Sequence, residues 1–229
     1  DYYYAYLDQK QAHTYYPTHL WENDRWDSLH QPFINVHRKL DPAKATDADF
    51  EYFKGKAYSQ ELFTKKALWF INQNKDKPFF LYLPYTIPHV SLQVPDEEAK
   101  QYTGKFNEKP YYGENGYASN KYPLSTYAAM ITYLDKQVGL VMQQLKELEL
   151  DDNTIVFFSS DNGATFNGGV DAQFFNSVAG LRGLKMDLYE GGIRMPFIAR
   201  WPGKIKAGSV SEHVSAQYDF FATATELSN

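Results

Sequence analysis

The chain has 229 residues, 43% of them hydrophobic and 17% aromatic, and a formal net charge of −5. That length suits one α/β domain or two small ones, and the apolar content argues against disorder. The acidic balance and the lack of a basic run argue against nucleic acid as a partner. No apolar run reaches transmembrane length. With no cysteine there are no disulfides and no thiolate metal ligands.

In chain order, residues 1–45 are aromatic and broken by Pro17, Pro32 and Pro42, which predicts a loop-rich layer over the surface or a cleft. Asp47 or Asp49 can open a helix running to about Asn74, with Leu62, Phe63, Ala67, Phe70 and Ile71 on its buried face. Phe79-Phe80-Leu81-Tyr82-Leu83 reads as a buried strand leading to Pro88-His89. A polar, Tyr- and Gly-rich connection covers about 100–122. Tyr127, Ile131, Leu134, Val138, Val141, Leu145 and Leu148 then form one apolar stripe, which predicts a helix laid against a sheet. Asp151-Asp152-Asn153 ends it, and a strand at 155–158 follows, the order of half a βαβ unit. Residues 163–192 are glycine-rich, residues 195–199 read as a third strand, and a last helix spans about 218–227. The chain carries no signal-peptide pattern, and both of its ends read as cuts in a longer protein.

Chemistry gathers where apolar runs end. Asp161-Asn162-Gly163 closes the 155–158 strand, and ligands collect at the carboxyl ends of strands in open α/β sheets. Asp161 and Asn162 offer hard oxygen donors suited to Ca²⁺ or Mg²⁺, although Asp-Asn-Gly is also ordinary turn chemistry. His89 follows the 79–83 run, and Lys185 lies among glycines. Taken singly, a histidine after proline is usually a loop residue and a lone lysine a solvated charge. Together, a cation, an imidazole and a metal suit a compact anion such as sulfate or phosphate.

Several motifs occur in a fixed order. They are Pro78-Phe79-Phe80-Leu81-Tyr82-Leu83 with Pro88-His89, Phe158-Ser159-Ser160-Asp161-Asn162-Gly163, and Leu181-Arg182-Gly183-Leu184-Lys185 with Tyr189-Glu190-Gly191-Gly192-Ile193-Arg194-Met195-Pro196. Arg200-Trp201-Pro202-Gly203-Lys204-Ile205 and the helix after Gln217-Tyr218-Asp219 complete them. In these motifs the chain resembles the type I sulfatases, the arylsulfatase-like branch of the alkaline phosphatase superfamily. The resemblance implies an alkaline phosphatase-like α/β fold, a mixed sheet flanked by helices, present here only in part. It implies Asp161 and Asn162 as calcium ligands, His89 and Lys185 as catalytic groups on the sulfate ester, and Glu190 and Arg194 as architectural. It further implies a periplasmic or secreted parent enzyme.

The family's nucleophile is a formylglycine made from Cys or Ser in a Cys/Ser-x-Pro-x-Arg motif, and no such motif occurs in this chain. The aspartate pair that completes the family's metal site has no match either. The whole chain, 1–229, therefore reads as a partial catalytic domain: residues 1–45 form a substrate-side layer and residues 46–229 a portion of the α/β core. The opening segment from Tyr6 to Trp21 looks like one found in bacterial polysaccharide sulfatases. His13 and Trp21 there either line a sugar subsite or pack beneath the cleft. The expected substrate is a sulfated carbohydrate or another sulfate ester. The competing readings are a phosphoryl-transfer hydrolase of the same superfamily and a non-catalytic carbohydrate-binding module.

Overall fold

The computed structural model describes residues 1–228. It is α/β, with two small sheets and six α-helices among those residues. The opening segment is more regular than its prolines suggest. Strands β1 (Tyr4–Ala5), β2 (His19–Glu22) and β3 (Arg25–Ser28) form an antiparallel sheet in the order β1-β2-β3. Asn23, at φ 53°, turns the chain between β2 and β3, a left-handed position that asparagine tolerates well. Side chains tie the sheet further: Tyr2 and Tyr4 donate to Glu22 and Asp27, and Lys66 pairs with Glu22 at 2.5 Å.

The expected helix from 47 to 74 is two helices, α1 (Asp47–Glu51) and α2 (Ser59–Asn74). The break is steric. A Cβ on Gly55 would lie 2.5 Å from Tyr16 Cβ, so the backbone there is pressed onto the opening segment. The turn also frees Lys56 and Ala57 to donate to Gln31. On α2, Phe63, Ala67 and Ile71 recur every fourth residue and are buried, as the spacing requires.

Residues 79–83 form no strand. Phe79, Leu81 and Leu83 are half-buried, while Phe80 and Tyr82 stand 66% and 76% exposed. The alternation is that of a strand, but no ladder partner lies beside it among the described residues. The other two expected strands do pair, as β4 (Val156–Ser159) and β5 (Phe197–Arg200), antiparallel, with Phe157 opposite Ala199. They are half-buried to exposed, not buried as the apolar runs suggest.

The short helix α3 (Asp96–Lys100) precedes the longest, α4 (Pro123–Glu147). Pro123 opens α4, and Glu108 accepts hydrogen bonds from the Leu124 and Ser125 amides, placing a carboxylate on the free N–H groups of the first turn. The buried face of α4 is rotated from the expected stripe. Tyr127 and Leu145 of that stripe are buried, but so are Thr126, Met130, Tyr133 and Gln137 beside it, whereas Ile131 is 43% exposed. The cause is the partner: α4 packs closely on α2 and α3, and its backbone comes near neither β4 nor β5 among the described residues. Tyr133 meets Tyr58 edge to face at 5.2 Å, and the Tyr102 and Thr132 hydroxyls bond at 2.6 Å.

The core gathers Tyr15, Tyr58, Val90, Leu92 and Met130. The buried Gln93 is paired within it: its side chain accepts from the Tyr15 amide at 2.9 Å and donates to the Phe53 carbonyl at 2.6 Å. Helices α5 (Glu190–Ile193) and α6 (Asp219–Leu227) complete the chain, α6 lying on β4 through Phe220 and Phe157 at 5.3 Å.

Candidate functional site

His89 is held from both sides. Tyr15, fully buried, donates its hydroxyl to the carbonyls of Thr86 and His89, and Gln60 bonds both the amide and the hydroxyl of Thr86. The imidazole Nδ1 lies 2.5 Å from the Val90 carbonyl. A carbonyl only accepts, so Nδ1 carries the proton and Nε2 is the free ring nitrogen.

Asp161 and Asn162 leave the end of β4 in a loop tied by backbone. The Gly163 amide donates to Gly192, the Lys185 amide to Ala164, and the Gly191 amide to Arg182, at 2.8 to 2.9 Å. These contacts demand glycine. A Cβ on Gly163 would meet the Gly191 carbonyl oxygen at 1.9 Å, and one on Gly191 would meet that of Gly183 at 2.0 Å. The knot joins the Asp161 loop to the Lys185 loop through main chain alone. Glu190 and Arg194 pair with each other there, and Arg182 lies over the Tyr189 ring at 3.6 Å.

His89 is also subject to the charges of these loops. Burial holds the His89 imidazole below its ordinary value of 6.5; its bond to Val90 opposes this, the charge of Lys185 adds to it, and that of Asp161 opposes it. Asp161, Asn162, the Lys185 ammonium and His89 Nε2 make no side-chain hydrogen bond or ion pair to protein among the described residues. A carboxylate, an amide, a cation and one imidazole nitrogen are thus left without a protein partner.

His13 belongs to the same cluster. Its ring stacks on His89 with centroids 5.9 Å apart, and its Nδ1 lies 3.4 Å from His37 Nε2. Burial, followed by the neighbouring His89 and His37, lowers its pKa. Trp21 does not join them: its ring partners are His19 and Trp26, on the small antiparallel sheet. Two members escape the sequence reading. His37 sits in the proline-broken opening, and Tyr117 in the connection before α4, with rings 5.7 Å apart. The only local signal is Gly113-Glu114-Asn115-Gly116, a turn that throws Tyr117 into the left-handed region at φ 67°.

Asp161 and Asn162 suit calcium by donor chemistry. By number they fall short, since no group of three or more His, Cys, Asp or Glu is arranged for a metal among the described residues. The formylglycine precursor has no counterpart in the sequence.

Known proteins are similar to this chain over most of its length. An N-acetylgalactosamine-6-O-sulfatase of Bacteroides thetaiotaomicron is 35% identical over 173 residues, covering 73% of this chain and 30% of that protein. An arylsulfatase of Hemicentrotus pulcherrimus is 32% identical, covering 92% of this chain and 33% of its own length. The chain thus spans about a third of the curated relatives it matches. The crystal structure of Ps i-CgsB in complex with k-i-k-neocarrahexaose superposes with a TM-score of 0.62 at 30% identity, covering 76% of this chain and 35% of that one. The chain carries part of the alkaline phosphatase-like α/β fold of such enzymes. The Sulfatase family model matches residues 4–229, nearly end to end, and the chain belongs to the sulfatase family.

Proposed function

We propose that this chain is part of a sulfuric ester hydrolase acting on a sulfated carbohydrate, in a periplasmic or secreted setting. What supports the reading is membership of the sulfatase family together with His89 Nε2, the Lys185 ammonium and the Asp161 carboxylate, which make no side-chain bond to protein among the described residues. The substrate class rests on the relatives, which include N-acetylgalactosamine-6-sulfatases and a structure in complex with k-i-k-neocarrahexaose.

Lys185 holds the sulfate by its charge, in a cleft where a fixed cation is worth more than in water. His89 acts at the bridging oxygen. Its Nδ1–H is committed to Val90, which aims Nε2 outward, and a proton on Nε2 can pass to the leaving oxygen. Burial and Lys185 both make that protonated form scarcer near neutral pH, and the Asp161 charge partly restores it. Asp161 and Asn162 supply two oxygen donors for Ca²⁺, which when bound withdraws charge from sulfate oxygens. Calcium needs about six to eight oxygens, so the remaining ligands come from groups outside this set. No step is assigned to a formylglycine, because no residue of this chain matches its motif.

The test is turnover by the full-length protein containing this chain. His89→Ala is expected to lower kcat about 10²–10⁴-fold on a sulfated sugar, and Lys185→Ala to weaken inorganic sulfate binding measured by calorimetry. Near wild-type turnover in His89→Ala removes His89 from the mechanism. Faster hydrolysis of the matching phosphate monoester than of the sulfate ester overturns the reaction class.

A further inference from the structure

Two consecutive tyrosines serve different places. Tyr15 commits its hydroxyl to the Thr86 and His89 carbonyls. Tyr58, packed on both rings, donates to the Gln93 carbonyl at 2.9 Å. Tyr16 is only 4% exposed, yet its hydroxyl makes no hydrogen bond to protein among the described residues. It is not sealed in either: among those residues Ser119 Oγ is the only fully buried side-chain polar atom without a partner. What remains open of Tyr16 faces a cavity of about 190 Å³ that it lines. The ring is held there, with Tyr58 at 5.3 Å and the Gly55 backbone so close that a Cβ would meet Tyr16 Cγ at 2.7 Å. Buried polar groups in native folds are nearly always bonded, so this hydroxyl calls for a partner from outside the protein. None of His89, Asp161, Asn162 and Lys185 borders the cavity.

The lining says what fits. Phe50, Phe53, Leu92 and Val94, all buried, and the half-buried Ala99 form an apolar wall. The polar side chains deep in the lining are already used. Gln93 bonds the Tyr15 amide and the Phe53 carbonyl. Asn120 donates to the Leu92 carbonyl and accepts from the Tyr122 amide and the Thr126 hydroxyl. The charges of the lining close on one another: Lys54 pairs with Glu51 at 2.7 Å and Asp96 at 2.8 Å, and Lys121 with Asp47 at 2.7 Å. No free charge is left among them to hold an ion. Burial, with Asp96 and Tyr133 adding to it, raises the Tyr16 phenol above its ordinary value of 10.0, so the hydroxyl is a donor throughout the neutral range. An apolar wall with one placed hydroxyl suits a molecule with an apolar body and one polar group. The volume is below the roughly 300–1,000 Å³ of pockets for larger ligands, which keeps that molecule small.

We propose that this cavity is a second ligand site, which takes a small neutral molecule of the short-chain alcohol or amide class, its oxygen accepting from the Tyr16 hydroxyl and its chain lying on Phe50, Phe53 and Val94. The site shares no residue with the groups assigned to the sulfate, and it stands whether or not they act on a sulfate ester.

The test titrates the full chain with butan-1-ol and follows backbone amides by NMR, with far-ultraviolet circular dichroism as the check on folding. The amides of Val94, Ala99 and Ser119, which border the cavity, should shift and saturate together. Tyr16→Phe should weaken butan-1-ol binding about fivefold, the value of one lost hydrogen bond, and leave the melting temperature of the free protein where it was, because that hydroxyl bonds nothing in the protein. Ala99→Leu, which fills the cavity, should abolish the saturable shifts in a folded chain. Butylammonium and butyrate, the charged counterparts, should both bind more weakly than butan-1-ol. Shifts that do not saturate at those amides overturn the site. So does unchanged affinity in Tyr16→Phe, or a melting temperature that falls in that variant, which would mean that the hydroxyl is bonded to protein. Tighter binding of either charged probe overturns the neutral class of ligand.

Discussion

The two regions that build the site are made differently. From Tyr15 to Val170 the chain buries its apolar residues against one another and ties loops with buried side chains such as Gln93 and Ser91. Beyond Ala172, only Gly191 and Gly192 are buried among the described residues, and apolar residues such as Phe197 and Phe221 stand open. Yet the second region holds Lys185, and it holds Asp161 through the glycine knot, by main-chain contacts that need no core. Order at a site thus has two sources: side-chain packing on the His13 and His89 side, backbone interlock on the Lys185 side.

The comparison breaks most easily at Met130, which is fully buried. Met130→Ala should cost about 2–5 kcal/mol in urea unfolding, from lost transfer energy and the cavity left behind. A cost below about 1 kcal/mol, on the order of a surface substitution, would mean that the first region is not packed as described.

Gly191→Ala tests the interlock. With the Gly183 carbonyl 2.0 Å from the new Cβ, backbone must move, at a cost of about 1–3 kcal/mol. Sulfate affinity should fall with it, because the shift separates Lys185 from Asp161. Retained sulfate affinity would show that the knot does not position Lys185.

The seam between the regions should respond to acid. His13 and His89 both have pKa values lowered by burial, so the folded state binds fewer protons than the unfolded chain. Stability therefore rises with pH in this range. Their contribution is present in full above the ordinary value of 6.5 and is lost as pH falls through the lowered folded values. The melting temperature should drop on acidification below that point, and by less in a His13→Ala, His89→Ala double variant. An equal drop in both proteins would assign the acid sensitivity to other groups.

The smallest effect is expected at Phe221, which is 79% exposed. Phe221→Ala should change unfolding free energy by no more than about 0.5 kcal/mol. Hydrogen exchange sharpens the same contrast: amides of β5, in a two-stranded ladder largely open to water, should exchange well before those in the middle of α4. Equal protection would erase the difference between the regions.

Much of the site is written locally. Asp161 and Asn162 follow an apolar run, Lys185 lies between glycines, and His89 follows Pro88, all patterns that depend only on neighbours in the chain. The glycines of the knot stand out for the same reason, because a position with no room for Cβ accepts little else. The positions of α2, α4, β4 and β5 follow from periodicity, although the start of α2 lies well beyond the expected Asp47.

What periodicity reports is that one face is apolar, not which surface will cover it. The tertiary structure alone set the face that α4 buries, because α2 and α3, not a sheet, lie against it. It alone left 79–83 without a ladder, since a strand exists only through its partner. It alone broke the helix at Gly55 by pressing Tyr16 onto it. And it alone brought His37 and Tyr117 to His13 and His89: ring contacts between distant loops depend on where those loops close, and no pattern along the chain carries that information.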